Sequence, residues 1–285
     1  MRRPIATLRA LMRCNDMASF RANFVPGVCM RVGILAGGVG SRLSEETVVK
    51  PKPMVEIGGR PILWHIMMHY SHFGYKEFAI ALGYKGEHIK RYMVDYCSLN
   101  SNLTVDLKTG KVQGEGEHEH DWRIDLIDTG QQTNTGGRIK RLAPYLGNST
   151  FFLTWGDGVS TVDLHELYAF HKRHGKLATV TAVRPPARFG RLEIDGDQVV
   201  SFEEKPQMSE GWINGAFFCL EPKIFDYIAG DDTQFEKEPL ENVARDGQLM
   251  AYRHGGFWQC MDTLRDKVRL ESLWESGQAP WKMWS

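Results

Sequence analysis

A glycine-rich stretch, a lysine clamped between prolines, two distant aspartates and a Glu-Lys pair are the residues of this chain whose types could do chemistry. The stretch reads Leu35, Ala36, Gly37, Gly38, Val39, Gly40, Ser41, Arg42, Leu43. It continues the apolar run Val32 to Ala36, so the pattern is strand, tight turn, then helix. That arrangement points backbone N–H groups at an anion. No Gly-Lys-Ser/Thr closes the loop, so it is not a P-loop. Its Gly-Gly-x-Gly spacing also differs from the dinucleotide fingerprint. Arg42 follows the last glycine by two positions, and a forked guanidinium suits a polyphosphate. Alone, such a loop reads equally well as a tight turn. Lys52 lies in Lys50-Pro51-Lys52-Pro53-Met54. Flanking prolines restrict its backbone and disfavour helix. In isolation it would be a solvated surface lysine; downstream of a glycine loop it is placed to reach a phosphoryl group.

Asp157 sits in Trp155-Gly156-Asp157-Gly158, directly after the apolar strand Thr150 to Thr154, and Asp262 follows the aromatic pair Phe257-Trp258. Ligands of open α/β sheets bind at the carboxyl ends of strands. Two carboxylates meeting there would suit Mg²⁺, which takes few carboxylates alongside substrate phosphates. Either aspartate alone could be a turn residue. Glu204-Lys205-Pro206 offers one acceptor and one cation to a polar, anionic ligand. Its plainer reading is a surface ion pair worth about 0–1 kcal/mol. His65 and His69 stand at i, i+4, but Ile66 between them rules out a zinc-protease helix. His118 and His120, among Glu115, Glu117, Glu119 and Asp121, read as a solvated polar loop.

The elements that must hold these groups alternate. Pro61 to Phe73 is a helix with Ile62, Leu63, Ile66, Met67, Tyr70 and Phe73 on one face, started by proline and stopped by Gly74. Glu77 to Leu82 is a strand, Glu87 to Tyr96 a helix, Leu164 to His174 a helix and Ala178 to Val183 a strand. Strands alternating with helices imply parallel βαβ units. The chain is therefore expected to form a Rossmann-like layered α/β/α sheet, mostly parallel. Hairpins interrupt it. One is signalled by Asp195-Gly196-Asp197 between Arg191–Ile194 and Val199–Glu203, a second by Thr109-Gly110-Lys111. Trp212 to Leu220 is a further strand. The inserted hairpins are expected to build the sugar side.

The glycine loop followed by Lys-Pro-Lys-Pro-Met-Val-Glu-Ile-Gly-Gly-Arg-Pro-Ile-Leu resembles the signature of sugar-nucleotide pyrophosphorylases. The similarity continues through Asp128-Thr-Gly, Thr135-Gly-Gly-Arg-Ile-Lys, Gly156-Asp-Gly, Arg188-Phe-Gly, Glu203-Glu-Lys-Pro, Ile213-Asn-Gly and Gly256-Phe-Trp-Gln-Cys-Met-Asp-Thr. It covers nearly everything from Met30 onward, and the later motifs are similar to the glucose-1-phosphate cytidylyltransferase branch. Ser41 and Trp155 depart from the threonine and tyrosine common there. The resemblance implies transfer of CMP from CTP to α-D-glucose 1-phosphate, giving CDP-glucose and pyrophosphate. It implies Arg42 and Lys52 as catalytic residues. It places Leu35, Ala36, Gly37, Gly38, Gly40, Ser41, Arg42, Lys52, Thr133, Arg138 and Gly156 at the nucleotide. Glu204, Lys205 and Asn214 would meet the sugar phosphate, and Asp157 and Asp262 would be ligands of Mg²⁺. Homo-oligomers are usual in the family.

Length and composition agree. The chain has 285 residues, 42% apolar and 25% charged, with 35 basic against 35 acidic residues. That balance disfavours a dedicated nucleic-acid binder, and no apolar run approaches the roughly 18 residues that span a bilayer. Five cysteines without a CxxC pair fit a reduced, cytoplasmic protein. Residues 1–29 carry Arg2, Arg3, Arg9, Arg13 and Arg21 against the single acid Asp16. They read as a disordered leader or an upstream start rather than an organelle presequence, leaving 30–285 as one nucleotidyltransferase domain. Alternative readings are a UTP- or dTTP-using relative and a non-catalytic sugar-nucleotide-binding regulator. An NAD-binding Rossmann protein would need an acid about 20 residues past the glycines. Glu56 lies near that distance, but Lys-Pro-Lys-Pro breaks the strand that should carry it.

Overall fold

The computed structural model describes residues 30–99, 102–115, 120–184, 191–195, 198–203 and 211–284. The leader, Glu204 and Lys205 lie outside the described residues. The strands of the central sheet are β1 (Val32–Leu35), β2 (Glu77–Leu82), β3 (Arg123–Asp128), β4 (Phe151–Trp155), β6 (Ala178–Val183), β7 (Ile213–Leu220) and β8 (Leu249–His254). Two short strands, β5 (Gly158–Ser160) and β9 (Trp258–Cys260), pair with each other beside it. The order across the sheet is β8, β6, β7, β4, β1, β2, β3. Every neighbouring pair is parallel except those made by β7, which runs against both β6 and β4. The expected mostly parallel layered sheet is what forms.

The reason lies in a period of two with both faces buried. Val32 and Ile34, Phe78, Ile80 and Leu82, Phe152, and Phe217 and Cys219 enter one core. Leu35, Ala79 and Ala81, Phe151 and Leu153, and Phe218 and Leu220 enter the other. Strands covered on both sides read as continuous apolar runs, and these do. The first core takes helix α1 (Ile62–His72), helix α4 (Leu164–His174), helix α6 (Leu264–Glu275) and the terminal Trp281. The second takes helix α3 (Thr135–Leu146) and helix α5 (Glu238–Arg245). Helix α2 (Gly86–Leu99) completes the set. Hairpins form at Asn102–Asp106 with Lys111–Glu115 and at Arg191–Asp195 with Gln198–Glu203, as the turn residues indicated.

Two expectations change in detail. Helix α1 is not amphipathic: every residue from Ile62 to Tyr70 is buried, His65 and His69 included. Its histidines are core residues. His65 Nε2 hydrogen-bonds the Ile57 carbonyl at 2.8 Å, and its Nδ1 accepts from Trp281 Nε1 at 3.4 Å. That pair of contacts fixes a neutral imidazole and pins the C-terminal segment to α1. The helix expected after the glycine loop is only a 3₁₀ turn, Ser41–Leu43, and one α-turn, Ser44–Thr47. Lys50-Pro51 follows at once, and a residue before proline leaves the helical region.

No helix among the described residues is long and apolar enough to cross a membrane. Burial lowers the pKa of His65 to about 4, of His171 to about 4 and of His69 to about 3. An unfolded histidine titrates near about 6.5, so between those values the unfolded chain binds protons that the fold refuses. Stability should therefore hold above pH 6.5 and fall as pH drops from there towards 4. Urea unfolding between pH 7.5 and 5 checks this. Constant stability down to pH 5 would contradict it.

Candidate active site

The carboxyl edge of the sheet gathers the chemistry. Leu35 and Trp155 end the adjacent strands β1 and β4, and Asn214 lies beside Ala182 near the carboxyl end of β6. The loop leaving β1 is shaped by two glycines in particular. Gly40 has φ +66°, and a Cβ there would meet Thr47 Cγ2 at 2.9 Å and Lys52 Cβ at 3.0 Å. Only glycine permits both the left-handed backbone and the passage of the Lys52 stem. A Cβ on Gly37 would strike the Arg138 guanidinium at 2.3 Å, whereas one on Gly38 would meet open space. Gly38 thus leaves room above the loop. Thr47 seals it from below, its hydroxyl donating to the carbonyls of Gly40 and Leu43 at 3.1 and 3.0 Å.

Lys52 opens a 3₁₀ turn, Lys52–Met54, braced by Met54 N–H to Pro51 carbonyl at 2.8 Å and Val55 N–H to Lys52 carbonyl at 3.0 Å. The prolines hold this backbone. The Pro53 ring packs at Gly156, where an added Cβ would meet it at 3.0 Å. From there Lys52 Nζ donates to Asp157 Oδ2 at 2.6 Å and to Asp262 Oδ1 at 2.5 Å. Arg42 donates to the other oxygen of Asp262 at 2.8 Å. The Arg42 side chain is 76% exposed and that of Lys52 only 12%, so Arg42 is the outer cation and Lys52 the inner one.

Residues 157 and 262 meet because β5 and β9 pair antiparallel, Cys260 against Gly158, and the Met261 N–H donates to the Asp157 carbonyl at 2.8 Å. The ladder delivers both carboxylates at one end. Burial opposes the charge on Lys52, yet Asp157 and then Asp262 outweigh it and raise its pKa. Burial would raise the pKa of Asp262, but Lys52 and Arg42 hold it below the ordinary carboxylate value. Lys52 and Asp262 are therefore both charged at neutral pH. Two carboxylates within hydrogen-bond reach of one cation are a hard-oxygen donor set that fits a divalent ion. Among the described residues no group of three or more His, Cys, Asp or Glu gathers for a metal. Mg²⁺ suits a pair, because it keeps water and phosphate ligands. Cys260 lies beside Asp262, but burial and the neighbouring acids push its thiol up to about 12, so it is no nucleophile.

Arg138 differs from a simple ligand contact. Its guanidinium is turned beneath the glycine loop, where it donates to the carbonyls of Leu82, Gly130 and Gln131 and to the Thr129 hydroxyl at 2.7–3.2 Å. Burial lowers its pKa. Thr133 is buried, its side chain packed at Gly130 and Gly137. Gly136 and Gly137 open helix α3 under the segment 231–233, whose carbonyls take the N–H groups of Asn134 and Gly136. Asn214 sits at a β-bulge, its Oδ1 accepting the N–H of Ala216, a non-glycine residue at φ +60°. Trp258 Nε1 donates to the Gly215 carbonyl at 2.8 Å and ties this bulge to the ladder. Strain of this kind collects at functional sites. Sequence reasoning missed Trp258, and also Glu236, which accepts from Trp155 Nε1 at 3.1 Å and Thr135 Oγ1 at 2.6 Å. Trp258 stands in the Gly256-Phe-Trp motif with no role of its own attached, and no spacing signal marks Glu236.

Comparison with known proteins follows the same lines. Residues 32–264 match the family described as Nucleotidyl transferase. Glucose-1-phosphate cytidylyltransferase of Salmonella typhi is 53% identical over 256 residues, covering 90% of this chain and all of that protein. The crystal structure of HddC from Yersinia pseudotuberculosis superposes with a TM-score of 0.64 at 25% identity, covering 86% of this chain and 99% of the other. An apo UDP-glucose pyrophosphorylase structure, at 15% identity and a TM-score of 0.63, shares the fold over 87% of this chain and 99% of its own. By profile and by identity across a whole relative, the chain belongs to the nucleotidyl transferase family, on its glucose-1-phosphate cytidylyltransferase branch.

Proposed function

We propose that the chain transfers CMP from CTP to α-D-glucose 1-phosphate and releases pyrophosphate, with Lys52, Arg42, Asp157 and Asp262 as its working residues. The observation that carries the reading is the Lys52 ammonium held between two carboxylates at the mouth of a glycine loop. Similarity to the Salmonella typhi enzyme supports the choice of CTP and glucose 1-phosphate.

The chemistry follows from charge. A phosphate oxygen of the sugar attacks the α-phosphorus of CTP in line. The bond from that phosphorus to the bridging oxygen breaks, and pyrophosphate leaves with the electron pair. A phosphate monoester has its second pKa at about 6, so the nucleophile is already anionic at neutral pH. No general base and no covalent intermediate are required. The obstacle is repulsion between polyanions, and catalysis is positioning plus neutralisation. Backbone amides of Gly37, Gly38 and Gly40, with Ser41, cradle the triphosphate, and Leu35, Ala36 and Gly156 line the nucleotide. Arg42, the exposed cation, takes the leaving pyrophosphate. Lys52 stabilises charge on the α-phosphoryl group. Arg138 acts through the loop it supports, with Thr133 packed at Gly130. Asn214 presents its amide to the sugar. Glu204 accepts from sugar hydroxyls, and Lys205 brings in the sugar phosphate. Asp157 and Asp262 would hold a divalent cation, Mg²⁺, which when bound neutralises phosphate charge. The protein is proposed to work in the cytoplasm as a homo-oligomer.

Lys52→Ala should lose at least about a hundredfold in turnover, the scale of losing one preorganised charge contact to a transition state, while keeping the wild-type circular dichroism. Near-normal turnover would remove Lys52 from the mechanism. Pyrophosphate release measured with CTP, UTP and dTTP against glucose 1-phosphate should be fastest with CTP. Faster release with either other nucleotide would overturn the assignment.

A further inference from the structure

Asp262 has no regular element of its own. It lies between β9 and helix α6, so something else must fix its backbone. Asp266 does so. Its Oδ2 accepts the main-chain N–H of Asp262 at 3.1 Å, the N–H of Thr263 at 2.9 Å and the Thr263 hydroxyl at 2.9 Å. Its Oδ1 accepts Gln259 Nε2 at 3.1 Å. The Asp266 N–H returns to Thr263 Oγ1 at 3.3 Å, completing a capping box. One carboxylate therefore ties the last turn of the ladder, the Asp262 backbone and the start of α6 together. A capping box alone needs the residue-263 contacts. The bond to Asp262 and the bond to Gln259 are additional, and both aim at the segment that carries the site.

We infer that Asp266 is a positioning residue for the cation site, fixing the direction in which Asp262 projects towards Lys52. This rests on the reading that Asp157 and Asp262 hold a divalent ion. Hydrogen-bond partners of ligating carboxylates commonly matter to affinity by about 10- to 100-fold.

The test is Mn²⁺ binding to the full chain saturated with CDP-glucose, followed by electron paramagnetic resonance, together with urea stability of each variant. Asp266→Ala should weaken Mn²⁺ binding by about 10-fold or more. Thr263→Ala also removes the helix cap, but it keeps the bond from Asp262 to Asp266. It should lose stability while binding Mn²⁺ nearly as wild type does. Asp266→Asn should restore most of the affinity, because one oxygen still accepts from Asp262. Wild-type affinity in Asp266→Ala, beside a loss in Asp262→Asn, would overturn the inference alone. Equal losses in Thr263→Ala and Asp266→Ala would also overturn it, reducing Asp266 to a helix cap. Unchanged affinity in Asp262→Asn would instead remove the cation reading itself.

Discussion

Two carboxylates that reach for the same point repel each other unless a cation stands between them. Lys52 is that cation. Its ammonium is within 2.6 Å of an oxygen of each aspartate, and much of the surrounding structure serves to bring these three residues together. They come from positions separated by 105 and 210 residues. The inner site is net negative by one charge, and Arg42 offsets it from the solvent side. The pocket thereby suits a reaction whose difficulty is the meeting of anions.

Each of the three residues is aimed by the course of the backbone that carries it, and Asp262 also by the Asp266 carboxylate. Prolines and a 3₁₀ turn aim Lys52, and the glycine at position 40 lets its stem pass. A short ladder outside the main sheet sets the two aspartates side by side. Residues 261–263 join β9 to helix α6, whose Trp274 packs edge-on to His65 of α1, as Trp281 also does.

The layered sheet was legible because its strands are buried on both faces and its helices carry their own start and stop residues. The glycine loop, Lys52 and the Gly156-Asp157 turn could be read as motifs. Their convergence could not. Strands Gly158–Ser160 and Trp258–Cys260 are too short to show any period, so the pairing that joins Asp157 to Asp262 leaves no trace in spacing. Resemblance alone joined the two positions. Arg138 could be named from its motif, but its burial beneath the loop depends on carbonyls 7 to 56 residues away. Thr263-x-x-Asp266 is a helix-start pattern open to reading, and its second duty to Asp262 emerges only in three dimensions.

The central claim is that Asp157 and Asp262 act as one unit through a shared cation. A double-mutant cycle on pyrophosphate release tests it most directly, comparing Asp157→Asn, Asp262→Asn and the pair at saturating Mg²⁺. Residues that work as a unit give strongly non-additive losses. The account predicts that each single change removes most of the turnover and that the double change removes little more. Losses that multiply, as for two independent residues, would contradict it.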